Sequence, residues 1–149
     1  MTVKDIRPAL VAFLNADAGI AAAIETSVTR QNGGSRCFPG KLPQGTIKPS
    51  YVYTLISDPG DYHNAGASTL AHPRYQLDAW APTLDAATSL ANLIKDRIDG
   101  YRGEMGAGAT LVNVRGVFRD AGGGREEFDD ASKLWKNGRD YFIWFDERV

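Results

Sequence analysis

The chain has 149 residues, 17 Lys+Arg against 18 Asp+Glu, a formal net charge of -1, and 43% hydrophobic and 23% charged residues. That length suits one domain able to bury roughly 70% of its extended surface. The balanced charge excludes broad electrostatic capture of nucleic acid, though not a small basic patch, and the single cysteine, Cys37, excludes an internal disulfide.

At the N-terminus Asp5 and Arg7 interrupt the start and no apolar h-region follows, so no secretory signal is expected. The longest run without a polar side chain, Ala18 to Ile24, is far short of the ~20 residues a membrane span needs. With one thiol, the expectation is a soluble cytoplasmic product. Thr2 is read as the cap of a first helix, with Asp5 as its capping-box partner. Val3, Ile6, Leu10, Phe13 and Leu14 then form an apolar face. Asp17 caps a short continuation with Ile20 and Ile24 inward, ending near Ser27.

"TRQNGGSRCFPGKLPQGTIKPS" holds four glycines and three prolines and reads as a long connection with one short strand around Arg36 to Phe38. "SYVYTLIS" reads as a strand. After a long loop at 58–72, "RYQLDAWA" alternates: Tyr75, Leu77, Ala79 and Ala81 fall on one face, Arg74, Gln76, Asp78 and Trp80 on the other. "TLDAATSLANLIKDRIDGY" is the clearest helix, with Thr83 as N-cap, a stripe through Leu84, Ala87, Leu90, Ala91, Ile94, Ile98 and Tyr101, and Gly100 as its stop. "RGEMGAGA" reads as a turn-rich link. "TLVNVRGVFRD" reads as a strand with Val112, Val114, Gly116 and Phe118 on one face, and "AGGGREEFDDASK" as a loop. "LWKNGRDYFIWFDER" reads as a long strand bent or bulged at Asn137-Gly138. The order predicts an α+β fold: a single, mainly antiparallel sheet with two helices packed on one face and long hairpin loops at 58–72 and 120–132.

Chemical candidates are few. Both histidines, His63 and His72, lie in the 58–72 loop with Asp58, Asp61 and Ser68. A zinc site needs three or four convergent ligands, and neither HExxH nor CxxC occurs; a Ser-His-Asp triad assembled there on paper lacks a GxSxG elbow. The glycine clusters match no phosphate-binding pattern. Cys37, beside Arg36, has no evident base. Residues 120–130 carry five acids and one base, net -4, which suits a solvated loop, a charge-matched docking element, or, with paired carboxylates, acid/base or Mg²⁺ work. Neither a cofactor nor a metal is expected.

The aromatics are more telling. Tyr141, Phe142, Ile143, Trp144 and Phe145 place large side chains on both faces of one strand. One face enters the core, and the other needs cover that two helices on one side cannot supply; Trp80 raises the same problem. Uncovered apolar surface marks a protein interface, so an oligomer or assembly subunit is expected.

Taken in order, "NADAGIAAAI", "CFPGKLPQGTIKPSYVYTLIS", "RYQLDAWAPTLDAATSLANLIKDRIDG" and "REEFDDASKLWKNGRDYFIWF" resemble the small tail-completion (tail-terminator) proteins of long-tailed bacteriophages. The resemblance covers nearly the whole chain, 1–149, as one tail-terminator-like domain. It implies a non-enzymatic structural protein of the virion's tail-neck region, assembled in the host cytoplasm. Its homo-hexameric ring would cap the head-proximal end of the tail tube, stop polymerisation, and join tail tube protein to the head-tail connector or stopper protein, with no specific nucleic acid and no membrane as partner. Arg74, Gln76, Asp78, Trp80 and Trp144 are the expected subunit-interface residues. Asp61, Tyr62, His63, Arg125, Glu126, Glu127, Phe128, Asp129 and Asp130 are the expected docking-loop residues. Two other readings stay open: a neck or head-completion protein binding the portal side, and a small hydrolase or metal-dependent enzyme using the histidines and nearby carboxylates.

Overall fold

The computed structural model describes residues 2–24, 37–44, 49–120 and 124–148. Helix α1 (Ile6–Asn15) is capped by Asp5, whose carboxylate accepts a hydrogen bond from the Arg7 N–H at 3.0 Å. This corrects the expected cap at Thr2, and Pro8 is the reason. Capped at Thr2, the helix would hold Pro8 at its sixth position, where the ring clashes with a carbonyl and the missing N–H breaks the ladder. Capped at Asp5, it holds Pro8 at the third, where an N–H has no intrahelical partner anyway. Val3, expected on the apolar face, is instead 58% exposed and bridges in extended form to Arg148.

Helix α2 (Ala18–Ile24) starts at Asp17, which accepts from the Ile20 N–H at 3.0 Å, and turns by 91° from α1. It is therefore a separate helix with Ile20 and Ile24 buried as expected. Its expected end near Ser27 lies outside the described residues, as does Arg36.

The strands are β1 (Cys37–Pro39), β2 (Ser50–Ser57), the small hairpin β3 (Tyr62–His63) and β4 (Gly66–Ala67), β5 (Leu70–Ala71) and β6 (Arg74–Ala81). Helix α3 (Leu84–Ile98) follows, capped by Thr83 and stopped at Gly100, whose φ of 75° suits glycine. Then come β7 (Gly103–Met105), β8 (Val112–Arg119), β9 (Arg125–Asp129) and β10 (Leu134–Asp146). The main sheet runs β1-β2-β6-β10-β8-β7, with β5 and β9 also paired to β10. Every pairing in it is antiparallel except β1 with β2, a parallel pair beyond the sequence expectation.

One face of the sheet shares a single core with the three helices. Tyr51, Tyr75, Leu77, Ala79, Tyr141, Ile143 and Phe145 meet Leu10, Phe13, Leu14, Ile20, Leu90, Ile94 and Ile98. This is the predicted α+β arrangement, with the first helical segment broken in two. No single helix among the described residues is long and apolar enough to cross a membrane.

Four local expectations change. The 58–72 segment is not plain loop: it holds the β3–β4 hairpin and β5, which pairs with β10. The 120–132 segment is not one loop: 125–129 form strand β9, paired with 134–138, and only a tight turn joins them. The turn-rich link after α3 contains β7, paired with β8. The register of β10 runs unbroken through Asn137 and Gly138 against both β6 and β9; the irregularity lies further on, where Trp144 faces Gly116 but Phe145 faces Val114. The extra residue on β8, Arg115, shifts the alternation of that strand. Val112, Val114 and Val117 are buried, and Phe118 is turned out, 58% exposed.

Candidate assembly surface

The sheet face away from the core is built by the second residue set of β6 and β10. Cross-strand register places Trp80 beside Lys136, Asp78 beside Gly138, Gln76 beside Asp140 and Arg74 beside Phe142. Arg74, Gln76, Asp78 and Trp80, which alternation sets on one face, thus share one surface, and Trp144, two residues beyond Phe142 on β10, has the same parity. Helices occupy the other side, against the largely apolar inward set of Tyr75, Leu77 and Ala79 on β6 and Tyr141, Ile143 and Phe145 on β10, with Asn137 among them bonded to Thr88 of α3.

Arg74 anchors one end of this surface. Its Nε donates to Asp140 Oδ2 at 3.0 Å, its Nη2 reaches the same oxygen, and Nη2 also lies 2.7 Å from Asp120 Oδ2. Asp140 is 4% exposed, so its charge depends on the guanidinium for compensation. Donating these hydrogen bonds to the Asp140 carboxylate raises the Arg74 pKa. The guanidinium also sits 5.8 Å from the Phe142 ring centroid.

Asp78 lies in the middle. Gln76 Nε2 donates to both of its oxygens, at 2.8 and 2.9 Å. Burial, which leaves it 7% exposed, pushes its pKa up from the ordinary carboxylate value; the Gln76 bond and the charges of Lys136 and Arg125 oppose that. A Cβ on Gly138 would stand 2.1 Å from Asp78 Oδ1. Gly138 is there for space, since its φ is not positive.

At the other end Lys136 ion-pairs with Glu127 at 3.0 Å and lies 5.6 Å from the Trp80 centroid. Asp78, Trp80, Val52 and Leu134 line a groove of about 1180 Å³ bounded by residues 40–44 and the β9–β10 turn. Val52, Leu134 and Gly138 escaped sequence reasoning. Only Gly138 left a signal, as a glycine amid bulky residues of a long strand.

The 58–72 segment ties back to the same face. His72 stacks on Trp144, centroids 4.3 Å apart and planes 18° off parallel, and its Nε2 is 2.7 Å from Asp61 Oδ2. His63 stands apart at the exposed hairpin tip, accepting from the Ala65 N–H at 3.2 Å, beside Tyr62 at 79% exposed. The Ser68 hydroxyl accepts from the Leu70 N–H at 3.1 Å. Among the described residues no three His, Cys, Asp or Glu side chains converge as metal ligands.

The remaining expected docking residues lie on β9 and its turn. Arg125, Glu126, Glu127 and Phe128 are exposed strand residues; Phe128 packs on Trp135 at 5.2 Å between centroids. Asp129 holds the turn: the Ser132 N–H donates to its Oδ2 at 3.3 Å and the Ser132 hydroxyl at 2.5 Å, which lowers its pKa. Asp130 is exposed.

Fold and surface together define an α+β protein with one helix-covered sheet face and one open face that is polar and aromatic. Residues 8–128 match the family described as tail completion protein gp17, and the chain belongs to that family. It is a structural protein of a phage tail, associated with the virion. A chain from the "Virion of native gene transfer agent (GTA) particle" shares the fold: TM-score 0.61 at 14% identity, covering 91% of this chain and 90% of that one. No curated protein sequence matches.

Proposed function

We propose that the chain, as one domain over residues 1–149, forms a homo-hexameric ring at the head-proximal end of the tail tube. There it ends tube polymerisation and joins the tube to the head-tail connector, in the neck of a virion assembled in the host cytoplasm. It acts by contact, without catalysis or cofactor. The observation that carries this reading is the open sheet face, where Arg74, Gln76, Asp78, Trp80 and Trp144 share one surface on the side away from the helices. Closing subunits into a ring would cover that face and shield sheet edges. The exposed β3–β4 hairpin, with Asp61, Tyr62 and His63, and the β9–β10 hairpin, with Arg125 to Asp130, are the elements free to meet tube and connector.

Electron microscopy and sedimentation of the protein, alone and with purified tail tubes, test this. Rings on one end of each tube are expected. A strict monomer that ignores tube ends overturns the proposal. Binding to connector protein without binding to tubes replaces it with the head-side reading.

A further inference from the structure

We propose that the groove on the open sheet face is a socket for the Arg102 side chain of a second copy of this chain, with Asp78 as its counter-charge. This rests on the ring reading and specifies what holds neighbouring copies together.

Asp78 is an incomplete arrangement. Buried carboxylates are normally paired, and Asp140 on the same face is paired, with Arg74. Asp78, at 7% exposed, has hydrogen bonds from Gln76 alone and no ion pair among the described residues. Two bonds leave acceptor capacity on both oxygens. Gly138 allows the carboxylate to sit flat on the sheet, because any Cβ there would meet Oδ1 at 2.1 Å. Asp78 also lines the groove, so the approach to it is open.

The groove has the form of a side-chain receptor. Its volume of about 1180 Å³ leaves room for a long side chain together with the segment that carries it. Trp80, Val52 and Leu134 offer apolar wall for the stem of a long cationic side chain. A guanidinium suits such a site best, since it pairs with a carboxylate through two donors and stacks on an aromatic ring. The cations already lining the groove do not fill it. Lys136 and Arg125 act on Asp78 only through their charges, Lys136 being tied to Glu127, and Lys41 is an exposed lining residue with no ion pair to Asp78.

The complement exists on the same chain. Arg102 immediately precedes β7, at the opposite end of the strand order from the β1–β2 side that bounds the groove. It is exposed, with no hydrogen bond or ion pair among the described residues. A ring closes through contacts between two different patches, and opposite ends of one sheet supply such a pair.

The test uses the full-length protein with tail tubes and three variants: Asp78→Asn, Arg102→Gln and the double variant. Ring formation is measured by sedimentation and electron microscopy, and folding by thermal melting of the free subunit. Each single change should weaken ring formation roughly tenfold or more, with the double variant no worse than either single. Melting of free Asp78→Asn should not fall. If wild-type rings form and Asp78→Asn forms them equally well, the socket is overturned while the ring stands. Additive losses, or rings that persist but no longer bind tubes, also overturn it. If the wild-type chain forms no ring even on tubes, both proposals fall.

Discussion

The carboxylate of Asp78 lies directly over the α-carbon of Gly138 on the neighbouring strand, so that a Cβ at 138 would approach Oδ1 to 2.1 Å. The contact couples an acid to the absence of a side chain. Gly138→Ala must push Asp78 off its Gln76 bonds or distort two central strands. The expected cost is about 1–3 kcal/mol in urea unfolding. In an Asp78→Ala background the same change should cost clearly less, because the clashing atoms are gone.

Asp78 also gives a pH signature. Burial raises its folded-state pKa above the unfolded value of about 3.8. The folded state therefore binds a proton more readily. The stability this supplies is present below the unfolded pKa and is lost as pH rises through the folded pKa. Asp78→Asn should melt at or above wild type near neutral pH. That advantage should shrink as pH falls through the raised pKa towards 3.8. A difference that stays constant across the range would refute the assignment. Comparing variant with wild type cancels the opposite trends of Asp5, Asp129 and Asp146, whose pKa values are lowered.

The sheet's two faces and the α3 stripe were legible in the sequence because β6 and α3 follow strict periods. So was the grouping of Arg74, Gln76, Asp78 and Trp80, which share a face of β6 by parity alone. The helix start is legible through Pro8 rather than through Thr2. Pro8 already excludes Thr2 as the cap, and Asp5 takes that role with its carboxylate on the Arg7 N–H. Asp5→Ala should cost about 1 kcal/mol, and Thr2→Ala should leave unfolding by urea unchanged. The partners of Arg74 were not legible, since Asp120 and Asp140 are 46 and 66 positions away by sequence number and meet it only through register. Strand β9 was hidden by its acidic, glycine-flanked sequence; it forms because it extends the line of β8 along β10.

The bulge in β8 makes a prediction that simple alternation reverses. Unbroken alternation through Val112 and Val114 puts Phe118 in the core and Val117 outside. With Arg115 as the extra residue, Val117 is 1% exposed and Phe118 is 58% exposed, its ring lying over Gly116. Val117→Ala should therefore destabilise by about 1–3 kcal/mol, while Phe118→Ser, a far larger deletion, should shift unfolding by under about 1 kcal/mol. Thermal melts of the two variants side by side decide it.

Arg74 and Asp140 should behave as a coupled unit. Replacing Arg74 by Ala leaves a carboxylate that is 4% exposed without its cation. Loss of a fully buried partner typically costs about 3–5 kcal/mol. Arg74 is itself 31% exposed and shared with a partly exposed Asp120, so screening brings the expectation to about 1–3 kcal/mol. Arg74→Lys should recover only part of this, because an ammonium cannot reproduce the donation from Nε and Nη2 together. Adding Asp140→Asn to Arg74→Ala should restore stability, since it removes the stranded charge while keeping the shape. If the two losses simply add in urea unfolding, the pair is not coupled and Asp140 draws its compensation from elsewhere.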